Sequence, residues 1–336
     1  MKNKIKIAVD AMGGDRSPKK ILDGIRISLK KSKDIFFYIY GKKDIIEKNL
    51  LTNDVIKEFS EIIHTDDLIL DNDSPLSALK RGKNSSMWKC IESQKNKVAD
   101  ISLSAGNTGS LLVMSKLILK TIDGINKPAL AGLWPNSKGM NIVLDLGANI
   151  ECDEKNLVDF CNMGSALYKS LYEDKKPRVA LLNIGLEEIK GKDFIKKSFN
   201  TLKEIENNDF VFNGYIEGNR IMSGDADVIV TDGFTGNVAL KTAEGTANFI
   251  TNGLKKSLNI LSLLISYRKI RAFKNKLDPR KYNGAIFLGL QGPVVKSHGS
   301  TDALGFAYSI DMCEKIVKGN LVNKIKLILK NVDLSK

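Results

Sequence analysis

Short β-branched runs alternate with longer segments whose apolar residues recur every three or four positions, almost from one end of the chain to the other. Ile5–Ala11, Ile35–Gly41, Ile101–Ala105, Ile142–Ala148, Val179–Gly185, Phe210–Ile216, Val228–Asp232 and Ala285–Leu290 read as strands. Lys19–Lys30, Ser110–Lys120, Glu154–Tyr172 and Lys192–Glu206 carry helical spacing. A strand-then-helix rhythm of this kind predicts an α/β fold, with a mostly parallel sheet covered by helices on both faces in a three-layer sandwich. No repeat or low-complexity linker interrupts it, so residues 1–336 are read as a single α/β domain.

One segment, at about 249–282, breaks the rhythm. Its middle reads LKKSLNILSLLISYRKI, from Leu254 to Ile270. On a helical wheel Leu254, Leu258, Leu261 and Ile265 line up, widened by Leu264, while Lys255 and Lys269 fall on a narrow polar strip. Arg268, Lys269 and Arg271 then begin a basic exit. A broad apolar face beside positive charge suits an anionic membrane surface, contacted without being crossed. The same pattern suits a helix buried against a second copy, or a basic flank that docks an acidic protein.

The loops at predicted strand ends are the richest in candidate chemistry. In open α/β sheets ligands bind beyond the carboxyl ends of strands, where loops lead into helix N-termini. Three such junctions are rich in Gly, Asn, Ser and Thr. The first is Asp10 followed by Ala11-Met12-Gly13-Gly14-Asp15, the second Ser104-Ala105-Gly106-Asn107-Thr108-Gly109-Ser110, the third Thr231-Asp232-Gly233-Phe234-Thr235-Gly236-Asn237. Loops of this kind aim several backbone N–H groups at one point, which suits a phosphate. Singly, each is also an ordinary helix cap. Neither GxxxxGK[ST] nor GxGxxG after a strand occurs, which weighs against nucleotide hydrolysis and ordinary dinucleotide binding.

Composition narrows the field further. The 52 basic against 39 acidic residues leave a formal +13, which favours anionic partners without choosing among them. Basic surfaces that read RNA come interleaved with aromatics, and at 7% aromatic content no nucleic-acid partner is expected. The four cysteines form no CxxC pair, and the two histidines, His64 and His298, cannot build a metal cluster, so no metal and no cofactor are expected. The start, MKNKIKIAVDAMGGD, runs straight into a strand-like segment with no secretory pattern, and a cytoplasmic protein is expected.

Taken together and in order, AVDAMGGD (8–15), SAGNTGS (104–110), LDLGAN (144–149), RVALLNIG with Glu187, Lys190 and Gly191, DVIVTDGFTGNVALKTAEG (227–245) and HGS (298–300) resemble the acyl-ACP:phosphate acyltransferases, the PlsX family. The resemblance runs from about Ile5 to Met312. It implies a Rossmann-like sandwich similar to phosphotransacetylases and isocitrate-type dehydrogenases, usually a homodimer. It implies transfer of a fatty acyl group from acyl carrier protein (ACP) to inorganic phosphate. Peripheral association with the inner face of the cell membrane follows, since a membrane-bound glycerol-3-phosphate acyltransferase consumes the acyl phosphate.

The resemblance also places a functional lysine at Lys190, to hold phosphate or neutralise developing charge. Asn237 is the second catalytic candidate, as an amide donor to phosphate or oxyanion, and an N-cap role would also suit it. Asp10, Gly13, Gly14, Asp15, Ser104, Gly106, Asn107, Thr108, Gly233, Thr235, Gly236 and His298 are the expected phosphate or substrate contacts. Leu186 and Trp134-Pro135-Asn136, the latter read as a turn, depart from the family pattern. A soluble phosphotransacetylase acting on short acyl-CoA is the competing enzyme reading.

Overall fold

The computed structural model describes residues 4–172, 175–205, 208–257 and 278–334. Its strands are β1 (Ile5–Asp10), β2 (Ile35–Gly41), β3 (Ser60–His64), β4 (Ile101–Ser104), β5 (Ala129–Asn136), β6 (Gly139–Leu144), β7 (Arg178–Asn183), β8 (Val211–Glu217), β9 (Val228–Val230), β10 (Ala285–Leu288) and β11 (Val294–Lys296). Among the described residues all eleven join one sheet in the order β3-β2-β1-β4-β11-β10-β5-β6-β9-β7-β8.

Alternation along the central strands explains why both faces are covered. Val179 and Leu181 of β7 point into one core and Ala180 and Leu182 into the other, and Val228 and Ile229 of β9 divide the same way. A strand buried on both sides must be apolar at every position, which is what made these runs readable.

The helices are α1 (Lys19–Lys31), α2 (Lys43–Lys48), α3 (Ile56–Phe59), α4 (Pro75–Arg81), α5 (Ser86–Lys95), α6 (Thr108–Leu119), α7 (Glu154–Leu171), α8 (Asp193–Glu204), α9 (Gly233–Ser257), α10 (Ala303–Lys318) and α11 (Leu321–Leu334). Ile21, Leu22, Ile25 and Leu29 of α1 pack with Phe306 and Ile310 of α10 and with α7 in the larger core. On the other face α5 and α6 contribute Trp88, Ile91, Leu111 and Met114. A capping box, with Asp153 on the Asn156 amide and Asn156 reaching back, starts α7.

The parallel sheet has an antiparallel middle. β10 runs against both β11 and β5, and β5 against β6. β6, β9, β7 and β8 therefore run opposite to β1, β2, β4 and β11, and the two sets end at opposite edges of the sheet.

Several sequence expectations need correction. β3, β5 and β11 were not predicted, and β6 ends at Leu144, so Asp145–Ala148 is a loop instead of strand. Trp134-Pro135-Asn136 is the end of β5, paired with Gly139–Asn141, and Trp134 is buried in the second core. The third glycine junction is already helical from Gly233, which puts Asn237 inside α9. Asp232 does the capping, accepting from the Thr235 amide at 2.9 Å and from its hydroxyl at 2.7 Å. Of the amphipathic segment, Leu254 and Lys255 lie in the last turn of α9. Leu258, Leu261, Leu264, Ile265, Arg268, Lys269 and Arg271 lie outside the described residues. Among the described residues no helix is long and apolar enough to cross a membrane.

Candidate active site

The loops after β6 and β9 fold against each other. Asp145, fully buried, ties the first together: its carboxylate accepts from the amides of Leu130 (3.0 Å), Ala148 (2.9 Å) and Asn149 (2.8 Å) and from the Asn149 side chain (2.8 Å). Burial raises its pKa, and these donors oppose the rise. The Gly233 amide donates to Asn149 O at 2.8 Å, and a Cβ on Gly236 would collide with the Asp145 carbonyl. Glycine is thus required at Gly233 and Gly236 for close approach. Asn237, exposed, is brought against Gly147, whose φ of +121° and position beside the Asn237 amide leave no room for a side chain.

The loop after β7, neighbour of β9, opens at the same sheet edge. Asn183 donates to Gly185 O (3.2 Å) and Lys190 O (3.0 Å), folding the loop back on itself. Lys190 is exposed and pairs with Glu187 at 2.8 Å, and this hydrogen bond raises the lysine pKa. Lys190, on the loop after β7, and Asn237, near the start of α9 after β9, therefore follow adjacent parallel strands and lie at the same sheet edge. Ile184, Leu186 and Ile189, which flank Lys190 in the chain, and Phe234 and Val238, which flank Asn237, are all exposed and form an apolar collar to the two polar residues. Cationic ammonium, neutral amide donor and helix N-terminus together suit an oxyanion or phosphate, next to a surface that welcomes hydrocarbon.

The other predicted contacts gather elsewhere. After β1 and β4, Asp10 is buried and accepts from Ser86 Oγ (2.6 Å), Ser104 Oγ (2.7 Å) and the Met12 amide (3.1 Å). A Cβ on Gly13 would lie 2.5 Å from the Gly106 amide, so the two glycine loops touch backbone to backbone. The Asp15 amide donates to Gly299 O at 3.0 Å, which brings the His298 loop into the same cluster. Asp10 and Ser104 are thus spent on shaping the loops. Asn107 caps α6 through the Ser110 amide (2.9 Å) and donates to Asp71 O (2.6 Å), while Thr108 is exposed. His298 sits at the rim, its Nδ1 3.0 Å from Ser300 Oγ, and partial desolvation followed by the charge of Lys296 lowers its pKa.

The predicted residues therefore form two clusters, one at each of the two sheet edges where the oppositely directed sets of strands end. α9 relates them: it starts beside Asn237, and its Lys241 and Glu244 are within electrostatic reach of His298. Sequence reasoning missed Asp145, Asn149, Ser86, Lys20 and Lys296 as site residues. LDLGAN contained the first two as a motif, whereas lysines among 52 basic residues give no signal by spacing.

Comparison with known proteins bears on the fold and the family. The fold matches the EutD phosphotransacetylase from Staphylococcus aureus with a TM-score of 0.61, at 15% identity over 95% of each chain. A phosphotransacetylase from Streptococcus pyogenes matches at 0.63 and 15% identity, over 95% of this chain and 94% of that one. A putative 4-hydroxythreonine-4-phosphate dehydrogenase from Salmonella typhimurium matches at 0.54 and 12% identity, over 93% and 99%. At such identities the likeness defines a fold class: α/β proteins with a mostly parallel sheet, built like the phosphotransacetylases. A family model described as "Fatty acid synthesis protein" matches residues 5–324. A phosphate acyltransferase from Pelagibacter ubique is 58% identical over 327 residues, 96% of this chain and 98% of its own. One from Rhodopseudomonas palustris is 43% identical over 335 residues, 98% and 95%. The chain belongs to this fatty acid synthesis family, and it is an acyltransferase.

Proposed function

We propose that the enzyme moves a long-chain acyl group from acyl carrier protein to inorganic phosphate, releasing acyl phosphate and free ACP. The observation that carries this reading is that exposed Lys190, on the loop after β7, and exposed Asn237, near the start of α9 after β9, follow adjacent parallel strands to one sheet edge and are flanked by an exposed apolar collar. A phosphate oxygen attacks the thioester carbonyl carbon, forming a C–O bond. The tetrahedral intermediate then collapses with cleavage of C–S, and the proton that hydrogen phosphate gives up passes through water to the departing thiolate. Phosphate is itself a nucleophile and a thiolate leaves readily, so positioning and charge stabilisation supply the acceleration. Lys190 holds the phosphate, exchanging its contact with Glu187 for the anion. The Asn237 amide donates to the developing oxyanion.

In this reading a membrane-bound glycerol-3-phosphate acyltransferase takes up the acyl phosphate at an anionic membrane surface on the inner face of the cell membrane. The apolar collar also suits burial against a second copy, in a homodimer. Purified acyl-ACP is incubated with and without phosphate, and the acyl phosphate is trapped with hydroxylamine. Phosphate-dependent release of ACP with an acyl hydroxamate is expected. Release indifferent to phosphate, or turnover of acetyl-CoA in preference to acyl-ACP, would overturn the reading in favour of a short-chain acyl-CoA enzyme.

A further inference from the structure

The cluster at the other sheet edge holds two cations that the reaction centre does not use. Lys20, in the first turn of α1, is buried, and its Nζ donates to Gly299 O. Lys296, at the end of β11 and partly buried, donates to Ser297 O and, at 3.4 Å, to Ala105 O. These groups converge. A Cβ on Gly14 would meet Ala105 O at 2.8 Å and both Gly299 O and Lys20 Nζ at 2.9 Å. Among the described residues neither lysine has a carboxylate ion pair. Asp71 acts on both from a distance, Asp15 on Lys20 and Asp10 on Lys296.

Carbonyl dipoles alone are poor compensation for two desolvated ammonium groups, which ordinarily find an anion or lose their charge. The backbone sharpens the argument. α1 begins with no side-chain cap and no acidic residue in its first turn, so the positive end of its dipole adds to Lys20 where a carboxylate would normally stand. α6 opens at the same place through Asn107.

We infer that Lys20 and Lys296, with the Gly13-Gly14 turn and the Gly299 loop, form a second anion subsite that takes a phosphate group of a substrate. This rests on the reaction proposed above, which offers two such groups: inorganic phosphate, and the phosphodiester in the phosphopantetheine arm of acyl-ACP. The position suits an extended donor. From Asn237 to Glu244, the residue of α9 that His298 senses, the helix rises about 10 Å. An arm anchored at the lysines and lying along α9 leads toward the reaction centre. Desolvation, and then repulsion by Lys20, brings the Lys296 pKa down to about 8, with Asp71 and Asp10 opposing. The charged form needed for an anion is therefore lost as pH rises through that range.

The test uses the full chain, as Lys20→Met, Lys296→Met, their double variant and Lys296→Arg. In steady state at pH 7, the KM of one substrate rises at least tenfold in the double variant. A rise confined to phosphate assigns the subsite to inorganic phosphate. A rise confined to acyl-ACP, absent with an acyl-pantetheine donor that lacks the phosphodiester, assigns it to the arm. Both KM values within twofold of wild type, in a variant with wild-type circular dichroism, overturn the inference. Burial lowers the Lys20 pKa as well, so between pH 7 and 9 the same KM climbs more steeply in wild type than in Lys296→Arg; an equal climb in both removes Lys296 from the subsite. Should wild type show no phosphate-dependent turnover, the reaction reading fails on its own. Calorimetric titration with inorganic phosphate and with pantetheine phosphate then decides the subsite: binding by wild type and Lys190→Ala but not by the double variant supports it, and equal or absent binding in all three overturns it.

Discussion

Lys190 leaves 47% of its side chain in solvent, and Asn237 is exposed, so neither holds the fold together. Truncating either should act on chemistry alone. Lys190→Ala and Asn237→Ala are each expected to lower kcat/KM by about 10²–10³-fold, the scale of losing one oxyanion donor. Thermal melting should be unmoved in both, and near-normal turnover in both would remove these residues from the mechanism. Arg26 and Asp54 make the opposite case, since the Asp54 carboxylate is buried and paired at 2.5 Å with the partly buried Arg26 guanidinium. Burial works against the Asp54 carboxylate, but the hydrogen bonds from Arg26 and from the Leu51 and Ile56 amides outweigh it and hold its pKa below the ordinary value. A depressed carboxylate contributes stability in full above its unfolded pKa, near about 3.9, and loses it as pH falls through the folded one. Arg26→Met leaves a buried charge unpaired and should cost about 3–5 kcal/mol at pH 7. Urea titrations at pH 7 and pH 3 check this: the gap between wild type and variant should narrow at the lower pH.

Within α9 two glycines separate packing from propensity. Gly236 lies against the Asp145 carbonyl, so a methyl there pushes the helix start off the 145–149 loop, whereas the space around Gly245 is open. Gly236→Ala should destabilise by about 1–3 kcal/mol through overpacking and also lower activity by shifting Asn237. Gly245→Ala should stabilise by about 0.5–1 kcal/mol through helix propensity. Melting both variants beside an activity assay tests the pair, and a harmless Gly236→Ala would mean that the contact yields. The same distinction explains what could be read beforehand. Gly13, Gly233 and Gly236 were visible because close backbone approach admits only one residue type. β1, β2 and β7 were visible because burial on one or both faces leaves apolar runs. β5 was hidden by its small residues Ala129, Ala131 and Gly132 and by Pro135, which argues against a strand inside a sheet. β11 (VVK) and the edge strand β3 (SEIIH) each hold only two apolar residues, so neither leaves a run like the VIV of β9. The division into two clusters was hidden for a topological reason: strand direction reverses at β10 and β5–β6, and no local pattern records which way a strand runs.

For the whole molecule the open balance is between charge and apolar surface in holding the proposed membrane contact. The formal +13 draws the chain toward any anionic surface, with about 1 kcal/mol for each Lys or Arg that reaches the headgroups. Such attraction is screened within a Debye length, about 8 Å at physiological salt. Leucines entering the acyl boundary add about 1.5–3 kcal/mol each and do not answer to salt. If the segment after α9 supplies the contact, Leu258→Asp with Leu261→Asp should weaken binding to vesicles of phosphatidylglycerol and phosphatidylcholine by more than about 10²-fold, the equivalent of two lost leucines. Wild type in 0.5 M salt should lose only the electrostatic share and still cosediment. Turnover of soluble acyl-ACP without vesicles should be unchanged in the double variant, because Lys190 and Asn237 sit at the other end of α9. Binding abolished by salt but indifferent to the leucines would make the contact purely electrostatic and spread over the basic surface. Lost turnover without vesicles would tie the segment to the dimer or to ACP docking, the two other roles its pattern allows.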